Sequence, residues 1–443
     1  MYDDTIVAIA TAPGEAGIGV IRLSGPDALT LARKFFQPGA PGCSYQSHHL
    51  YHGHVCDAAE VVDEVLLAYM RAPHSYTAED VVEIHGHGGM VPLERILHLA
   101  ISAGARLAQP GEFTLRAFLN GRLDLAQAEA VADVISSRSD ASLRLAVNQL
   151  AGRLSNAVDA VRRRALSVMA QLEANIDFSE DDVPPAAVDS LLRELRACQA
   201  DLDRLLQSAD EGILYRRGAR VVIAGRPNAG KSSLLNALLR ASRAIVTPIA
   251  GTTRDTIEET ISLDGLPVVL VDTAGVTDTD DPVERIGVER SQVAISTADL
   301  VLFVYDAAAG WSADDAALLA TLPQEPFVVA NKRDLLAAPA DVGHAVSAAT
   351  GEGLPELEQA LRARLLPGAG HDDVLVNNLR HKTLLEEARA HLADAAASVE
   401  DGRAADFVAI DIRSALTALG AITGSDVSES LLDEIFSRFC IGK

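Results

Sequence analysis

Gly225-Arg226-Pro227-Asn228-Ala229-Gly230-Lys231-Ser232 is the stretch that decides the fold of the middle of this chain. It follows an apolar run at 221–224 and leads into Ser233-Leu234-Leu235, so the order is strand, glycine-rich loop, helix. This order is typical of a P-loop, in which backbone N–H groups and a helix N-terminus hold phosphate groups. Lys231 is placed to reach the β- and γ-phosphates, and the Ser232 hydroxyl to bind Mg²⁺. We therefore predict nucleotide binding in preference to an ordinary glycine turn.

Composition limits the class of protein. The chain has 443 residues, enough for about two to four domains with a sizeable core. Hydrophobic residues make up 48% and charged residues 23%, which indicates a globular and not a disordered chain. The formal net charge of −24 argues against a protein that coats nucleic acid non-specifically. Any bound RNA would need local basic patches or a partner's help.

The distribution of cysteines and apolar residues predicts a cytoplasmic protein. Four cysteines are scattered without CxxC spacing, which suits a reducing compartment better than a disulfide framework. No apolar run of about 18 residues occurs, and the first residues lack a basic segment followed by an apolar one. We therefore expect neither a membrane span nor a signal peptide.

Two switch motifs follow the P-loop in the order found in GTPases. Thr252 and Thr253 lie where a mobile switch would place a threonine on Mg²⁺ and the γ-phosphate. An apolar run at 267–271 then ends in the DxxG motif Asp272-Thr273-Ala274-Gly275. Its aspartate can hold a Mg²⁺-bound water, and its glycine N–H is placed to sense the γ-phosphate.

A third motif selects the base. The apolar run at 327–330 leads into Asn331-Lys332-Arg333-Asp334, an NKxD motif. Its carboxylate can accept hydrogen bonds from guanine N1 and N2, whereas adenine offers no such pair of donors. Val346-Ser347-Ala348 would close over guanine O6. GTP is therefore the predicted nucleotide, and its predicted contacts are Asn228, Ala229, Gly230, Lys231, Ser232, Ser233, Thr247, Thr252, Thr253, Asp272, Thr273, Ala274, Gly275, Asn331, Lys332, Asp334, Ser347 and Ala348.

The residue that orients the attacking water is not evident from the motifs. Ras-like GTPases place a glutamine directly after DxxG, but here that residue is Val276, which cannot hydrogen-bond to water. Either this domain hydrolyses GTP slowly, or another group orients the water. Glu284, at the start of a helical pattern, is a candidate, although acidic residues also favour helix N-termini for purely structural reasons.

Motifs along the whole chain resemble those of one known family. They are Gly17-Ile18-Gly19-Val20-Ile21-Arg22-Leu23-Ser24-Gly25, Tyr76-Thr77-Ala78-Glu79-Asp80, Glu83-Ile84-His85-Gly86-His87-Gly88-Gly89, Pro110-Gly111-Glu112-Phe113-Thr114, Arg116-Ala117-Phe118-Leu119-Asn120-Gly121-Arg122-Leu123-Asp124-Leu125 and the final Phe439-Cys440-Ile441-Gly442-Lys443. With a P-loop in mid-chain, this set resembles the MnmE (TrmE) family of tRNA-modification GTPases, and it covers the chain from end to end.

The resemblance implies how GTP hydrolysis is catalysed. In this family a potassium ion takes the place of an arginine finger. The positions that match its ligands are Asn228, Thr247, Thr252 and Ile249, the last through its carbonyl. Such a cation would neutralise charge on the transferring phosphoryl group. The family's water-orienting glutamate matches Glu284.

The resemblance also implies a folate site and a set of partners. The ligand would be 5-formyl- or 5,10-methylene-tetrahydrofolate, and the matching contacts are Arg22, Glu79, Arg122 and Lys443. Some family members carry lysine at the position of Arg122. The implied assembly is a homodimer that binds tRNA and joins an MnmG-type FAD protein in a heterotetramer. The chain has no flavin fingerprint of its own, which fits this dependence.

The fold class predicted from the pattern and the resemblance is multidomain. Residues 1–118 would form an α+β folate-binding and dimerisation domain, and residues 119–212 the first part of an all-α helical domain. A Ras-like α/β P-loop G domain at 213–368 would be inserted before the second helical part at 369–443. Two unrelated helical domains remain the alternative.

A cluster of histidines admits two interpretations. His48, His49, His52, His54 and Cys56 could form a zinc site. Their spacing matches no standard zinc finger, and alternation along a strand would place only His52 and His54 on one face. A polar strand is the better interpretation.

The last cysteine is also ambiguous. Cys440 lies close to Lys443 and could be a reactive thiolate of lowered pKa, or a structural thiol on a terminal helix.

The predicted function is that of a GTPase in the modification of the tRNA wobble uridine at C5, with the carbon taken from tetrahydrofolate. Opening and closing of the G domains would be driven by GTP hydrolysis. Two alternatives share the GTPase motifs: an RNA-binding ribosome-assembly GTPase of the Era or Der type, and a purely mechanical switch with dimerising G domains. The first would carry an added RNA-binding module, and no GXXG-type module follows the G domain.

Overall fold

The structure is a computed structural model and describes residues 3–40, 42–177, 185–241, 258–272, 292–336, 342–367 and 375–443. The chain divides into two compact units. The N-terminal unit comprises Met1–Ala132 and Leu419–Lys443, and the central unit comprises Asp133–Ala418. The α+β, all-α and P-loop α/β parts that the sequence predicts are all present.

Strands and helices are numbered here in chain order over the described residues. The strands are β1 (Ile6–Ile9), β2 (Gly19–Ser24), β3 (Phe36–Pro38), β4 (His49–Asp57), β5 (Glu60–Met70), β6 (Val81–Gly86), β7 (Arg106–Leu107), β8 (Ala219–Ala224), β9 (Glu258–Leu263), β10 (Leu266–Asp272), β11 (Leu300–Asp306), β12 (Phe327–Asn331) and β13 (His344–Ala345). The α-helices are α1 (Ala28–Ala32), α2 (Met90–Ala103), α3 (Glu112–Leu119), α4 (Leu125–Ser136), α5 (Asp140–Leu150), α6 (Arg153–Asp177), α7 (Pro185–Gln207), α8 (Ala209–Arg217), α9 (Lys231–Ala241), α10 (Ala313–Ala320), α11 (Leu354–Leu365), α12 (Leu379–Glu400), α13 (Ala405–Thr423) and α14 (Glu429–Ser437).

The N-terminal unit is built on a seven-stranded sheet in the order β3-β4-β5-β6-β2-β1-β7. Neighbouring strands are antiparallel except β1 and β7, which are parallel. Side chains alternate between the two faces of such a sheet. On one face Ile21, Leu23 and Ile84 are fully buried and share a core with Leu93 and Ile96 of α2. The opposite face therefore carries the intervening residues of each strand.

That opposite face is covered near β1 by helix α3. Ile6 and Ala8 of β1 pack against the fully buried Phe113 and the partly buried Tyr76. Farther from β1 the same face carries polar residues, among them Arg22 of β2. The seven-stranded sheet thus has one apolar face and one face that is apolar only near β1.

Within the N-terminal unit, the last residues of the chain pack against the segment Met1–Ala132 through two close backbone approaches. A Cβ on Gly111 (φ 70°) would lie 2.5 Å from the Phe436 carbonyl oxygen. A Cβ on Gly442 (φ 95°) would lie 2.4 Å from the carbonyl oxygen of Ile9. Glycine is required at both positions because a side chain would collide with the backbone it packs on.

In the central unit, helices that precede the sheet in the sequence pack against a helix that follows it. Helix α7 buries Leu191, Leu195 and Leu202 along one stripe, and α12 buries Leu385 and Leu392. The helical spacing of these leucines predicts one apolar face on each helix, and α7 packs against both α12 and α6. The chain segments before and after the sheet therefore share one helical layer.

The sheet of the central unit has six strands in the order β13-β12-β11-β8-β10-β9. All neighbours are parallel except β9 and β10, which are antiparallel. Strand β11 is buried along almost its whole length, as expected for a parallel strand covered on both faces. The carboxyl ends of β8, β11 and β12 meet at one edge, which is where such sheets bind ligands.

Helix α8 leads directly into this sheet and is tied down at its end. Arg216 Nε donates to Asp133 Oδ1 over 2.7 Å. Arg217 donates to both oxygens of Asp299, at 2.6 and 2.8 Å. Asp299 Oδ2 also accepts from the Arg220 N–H, so one carboxylate spans the φ 79° turn at Gly218.

Within the described part of the chain, every helix is too short or too polar to cross a membrane.

Two glycines of the N-terminal unit allow a matched test of how the segment around Phe436 packs against helix α3. Gly111 and Gly121 have nearly equal φ angles, 70° and 71°, but a Cβ at Gly121 would meet nothing within 4 Å. Gly121→Ala should lower the free energy of unfolding by only about 1 kcal/mol, the cost of holding an alanine in the left-handed region. Gly111→Ala carries the same cost and must also displace the Phe436 backbone. We expect a clearly larger fall in the thermal unfolding midpoint for Gly111→Ala. Equal midpoints for the two variants would contradict this packing.

Candidate functional sites

The loop between β8 and α9 has the backbone conformation of a phosphate-binding loop. Gly225 has φ 143°, and a Cβ there would lie 2.1 Å from the Val304 carbonyl oxygen. Gly230 has φ 88°, and a Cβ there would lie 2.3 Å from Asn331 Nδ2. Asn228 adopts a left-handed φ of 64°, which asparagine tolerates better than most residues. Val304 of β11 and Asn331 of β12 thus leave no room for a side chain at either glycine, and this fixes the path of the loop.

Lys231 and Ser232 begin helix α9 and carry the polar chemistry of this loop. The Lys231 ammonium is buried and donates to the carbonyl oxygens of Gly225 and Arg226, at 2.9 and 3.0 Å. Burial lowers the pKa of Lys231, while the charge of Asp272 acts in the opposite direction. Ser232 Oγ donates to Asp272 Oδ2 over 2.7 Å. A hydroxyl beside a carboxylate offers the oxygen donors that Mg²⁺ prefers.

Asn331, the last residue of β12, connects the two loops predicted to bind the nucleotide. Its Nδ2 donates to the Ala229 carbonyl oxygen over 3.1 Å, and its Oδ1 accepts from the Ala348 N–H over 3.1 Å. The side chain is almost fully buried. Asn331 therefore holds the P-loop and the loop at 347–348 at a fixed separation.

Asp334 and Ser347 are brought together as the guanine-recognition motif requires. Ser347 Oγ donates to Asp334 Oδ1 over 2.6 Å, and also accepts from the Thr350 N–H over 3.1 Å. The serine thus orients the carboxylate, whose other oxygen carries the remaining acceptor capacity.

Two pairings at this site were not predicted from the sequence. Lys332 Nζ donates to Asp306 Oδ2 over 2.6 Å at the end of β11. Burial alone would raise the pKa of Asp306, but the hydrogen bond from Lys332 holds it below its ordinary value. Arg226 Nη1 donates to Ser312 Oγ over 2.9 Å and lies near Asp314. An acidic residue at the carboxyl end of an apolar strand was the available signal for Asp306.

Several predicted residues lie outside the described part of the chain. They are Thr247, Ile249, Thr252, Thr253, Thr273, Ala274, Gly275 and Glu284. Their roles stay predictions.

A second polar site lies on the N-terminal unit around Tyr76. The guanidinium carbons of Arg22 and Arg122 lie 5.2 and 5.1 Å from the centroid of the Tyr76 ring. Arg22 also lies 5.8 Å from the ring centroid of Phe113. These distances are those of cation–π contacts. Two cations that are 100 residues apart in sequence therefore meet at one aromatic ring.

The C-terminal lysine reaches the same site. Arg22 Nη1 lies 3.5 Å from the Gly442 carbonyl oxygen. Burial and the neighbouring charge of Arg22 lower the pKa of the Lys443 ammonium, while Glu83 and Cys440 act in the opposite direction. Arg22, Arg122 and Lys443, which the resemblance assigns to one ligand, therefore lie together.

Glu79, the fourth of these residues, is held beside β2. Its Oε2 accepts from Ser24 Oγ over 2.7 Å. The fully buried Arg116 of α3 lies 3.3 Å from the same oxygen and also pairs with Asp4 and Glu112, at 2.7 and 3.0 Å. Arg116 was not predicted as a site residue; an arginine between the apolar residues of a short helix was its only signal.

Most of the histidine cluster lies on strand β4. Residues 49–57 form β4, which confirms the polar-strand interpretation, and His52 Nε2 lies 2.6 Å from Glu64 Oε1. In the described ranges, no three His, Cys, Asp or Glu side chains are grouped as metal ligands.

Cys440 carries an exposed thiol. Its backbone carbonyl oxygen accepts a hydrogen bond from the Lys443 N–H over 3.3 Å. Its chemical role stays open.

A substitution at Asp334 tests base selection. Asp334→Asn replaces an acceptor pair by one donor and one acceptor, so guanine N2 loses its partner. We expect GTP affinity to fall roughly 10²-fold. Xanthosine triphosphate, which has a carbonyl at C2, should bind the variant better than GTP. Competition titrations with both nucleotides measure this. Asp264→Asn, at an exposed aspartate, is the control, and unchanged GTP preference in Asp334→Asn would contradict the assignment.

Two family models together match most of the chain. The model of the GTP-binding protein TrmE N-terminus matches residues 5–122, and that of the MnmE helical domain matches residues 125–440. A solved structure of Era from Aquifex aeolicus is 26% identical over 39% of this chain and 66% of that chain. The TM-score between the two structures is 0.29.

Full-length relatives identify the family. Proteins named tRNA modification GTPase MnmE from Roseiflexus castenholzii, Chloroflexus aurantiacus and Symbiobacterium thermophilum are 48%, 50% and 49% identical. Each match covers 100% of both chains. These matches confirm the predicted GTPase and the predicted family. With a P-loop, a guanine-recognition motif and this similarity over its full length, the chain belongs to the MnmE family of tRNA modification GTPases.

Proposed function

We propose that this GTPase takes part in the 5-carboxymethylaminomethyl or 5-aminomethyl modification of the tRNA wobble uridine. The carbon attached at C5 would come from a tetrahydrofolate one-carbon unit. The main support is that Arg22 and Arg122 meet at the Tyr76 ring and that Lys443 lies close enough to Arg22 to feel its charge, because cations grouped beside an aromatic ring suit a flat, anionic ligand.

The N-terminal site offers complementary groups for a folate. The carboxylates of the glutamyl part can pair with the guanidinium groups of Arg22 and Arg122 and with the Lys443 ammonium. Glu79, oriented by Ser24, can accept hydrogen bonds from the donor edge of the pterin. A bound 5-formyl- or 5,10-methylene-tetrahydrofolate would supply the one-carbon unit. The residues themselves bind and orient the ligand.

The central unit would supply the driving reaction. Ser232 and Thr253 would hold Mg²⁺ on the phosphates, and Lys231 would contact the β- and γ-phosphates. Asn228, with Thr247, Ile249 and Thr252, would hold the potassium ion implied by the family resemblance, which would supply the charge of an arginine finger. Glu284 would orient the attacking water. Hydrolysis would then open and close the G domains.

The proposed assembly is a cytoplasmic homodimer with residues 1–118 as the dimerisation and folate domain. Residues 213–368 would form the inserted G domain, between helical segments at 119–212 and 369–443. The uridine chemistry requires redox steps for which the chain shows no cofactor motif. We therefore propose that an MnmG-type FAD protein joins it on tRNA in a heterotetramer. The relatives' name, tRNA modification GTPase, supports tRNA as substrate.

Exchange of the monovalent cation tests the catalytic part of this proposal. Replacing K⁺ by Na⁺ at constant ionic strength should slow GTP turnover by roughly 10²-fold, because a smaller ion cannot hold the same ligands in place. Steady-state phosphate release measures the rate, and nucleotide affinity in both salts serves as the control. Equal rates in K⁺ and Na⁺ would eliminate the potassium proposal.

Nucleoside analysis of tRNA tests the function itself. Cells without this protein should lack the C5 modification of the wobble uridine, and the wild-type chain should restore it. Arg22→Ala should fail to restore it, because the Tyr76 site loses one of its cations. Arg33→Ala is the matched control, since Arg33 lies 5.5 Å from the Tyr45 ring elsewhere in the same unit. Full restoration by Arg22→Ala, measured by mass spectrometry of digested tRNA, would refute the role of this site.

A further inference from the structure

The lysine of the NKxD motif is anchored on a carboxylate that lies outside the motif. Strands β11 and β12 are parallel neighbours, and Asp306 lies opposite Asn331 at the ends of both strands. The Ala307 N–H donates to the Asn331 carbonyl oxygen over 2.9 Å, so the pairing continues just beyond Asp306. Lys332 is the next residue and reaches sideways, where its Nζ donates to Asp306 Oδ2 over 2.6 Å. The apolar stem of Lys332 therefore bridges the carboxyl ends of two neighbouring strands.

The carboxylate of Asp306 is itself held in place. Its other oxygen, Oδ1, accepts from the Ala308 N–H over 3.0 Å and from the Ala309 N–H over 3.4 Å. Burial raises the pKa of Asp306, but the hydrogen bonds from Lys332 and from the Ala308 N–H hold that pKa below its ordinary value. Each carboxylate oxygen thus has its own donors. Asp306 is therefore an ionised anchor with a fixed direction.

The backbone of Lys332 is set by its neighbours and not by its own preference. Its φ of 68° and ψ of 35° lie in the left-handed region, which lysine rarely adopts. Asn331, before it, is fixed to the P-loop by its buried amide. Arg333, after it, donates its N–H to the Val346 carbonyl oxygen over 3.0 Å. The Lys332 side chain is thus held at both ends, at its Cα by these contacts and at its ammonium by Asp306.

A side chain held at both ends offers a flat ligand a fixed surface. The carboxylate of Asp334 can bind only the edge of a guanine, and the two faces of the base need apolar contacts. The stem of a lysine is apolar and can cover such a face when the ammonium has a partner beside it. Asp306 is that partner. The Lys332 and Asp306 side chains are 33% and 28% exposed, so the pair stays accessible to a ligand.

We propose that Asp306 is a positioning residue of the GTP site: it anchors the Lys332 ammonium so that the lysine stem forms a fixed wall against one face of the guanine base. Asp306 acts through Lys332 and does not itself bind the nucleotide. It therefore governs affinity for the guanosine part and not the chemistry at the phosphates. This inference rests on the proposed GTP site and extends it to a residue outside the predicted contacts.

The substitution Asp306→Asn separates positioning from simple electrostatics. Asparagine can keep the turn, because its Oδ1 can still accept from the Ala308 N–H, but its amide group then faces the Lys332 ammonium with a donor. Removing a negative charge from the site of an anionic nucleotide would by itself tighten binding, and more so for GTP than for GDP. Loss of positioning predicts roughly tenfold weaker binding of both nucleotides, by equal factors. Isothermal titration of the full chain with GDP and with a non-hydrolysable GTP analogue measures these affinities.

GTP turnover supplies a second readout, which general damage to the fold would not reproduce. The base keeps the same contacts in the ground state and in the transition state of phosphoryl transfer. In Asp306→Asn, the KM for GTP should therefore rise roughly tenfold, while kcat at saturating GTP stays within about twofold of the wild-type value. Steady-state phosphate release in K⁺ measures both parameters.

A matched control and a double variant make the test specific. In Asp210→Asn the same acceptor is removed from a lysine in the same unit, since Lys382 Nζ donates to Asp210 Oδ1 over 2.6 Å, and GDP affinity should not change. Lys332→Met keeps an apolar stem without the ammonium, so Asp306→Asn should have no further effect in that background. If Asp306→Asn lowers the thermal midpoint too far for titration, Asp306→Glu replaces it, with an expected loss of affinity of roughly threefold.

The outcomes are distinct. Equal weakening of GDP and analogue binding in Asp306→Asn, absent in the Lys332→Met background, supports the proposal. Unchanged or tighter binding overturns it, as does an equal loss in both backgrounds or a loss confined to the GTP analogue. Failure of the wild-type chain to bind either nucleotide overturns the proposed GTP site and this inference with it, whereas a loss confined to the variants leaves the site standing.

Discussion

The nucleotide site depends on one buried amide. Asn331 donates to the Ala229 carbonyl oxygen of the P-loop and accepts from the Ala348 N–H of the base-recognition loop. A side chain that uses both ends in this way cannot let one loop move without the other. The close approach of Gly230 to the same amide is a further consequence, since a larger residue would displace it. Recognition of phosphate and of base is therefore set by one structural constraint.

The N-terminal site is built on a different principle, the balance of buried charge. Arg116 is fully buried among Asp4, Glu79 and Glu112, and Arg22 is largely buried beside Glu83. Charges in such surroundings are costly unless they are paired. Pairing also fixes geometry, because each guanidinium is held by its carboxylate partner. The pair with Glu83 that makes the burial of Arg22 tolerable also helps to keep its guanidinium at the Tyr76 ring.

The sequence was informative where function follows from local spacing. The strand, loop and helix around Lys231 and the NKxD motif at Asp334 are each read within about ten residues, and both are confirmed as part of a P-loop α/β sheet. The pairing of Arg22 with Glu83 depends on strand register between residues 61 positions apart. The contact of Lys332 with Asp306 depends on which strands are neighbours. Neither register nor strand order can be deduced from one sequence, because many pairings satisfy the same apolar pattern.

The carboxylate of Asp299 has a mechanical consequence for the entry into the sheet. Gly218, with φ 79°, is the point between helix α8 and strand β8 at which the backbone could swivel most easily. Asp299 binds Arg217 on one side of that point and the Arg220 N–H on the other. Any sizeable rotation at Gly218 would break the bidentate Arg217–Asp299 ion pair or the Arg220 hydrogen bond, so one carboxylate restrains the junction between helix α8 and strand β8.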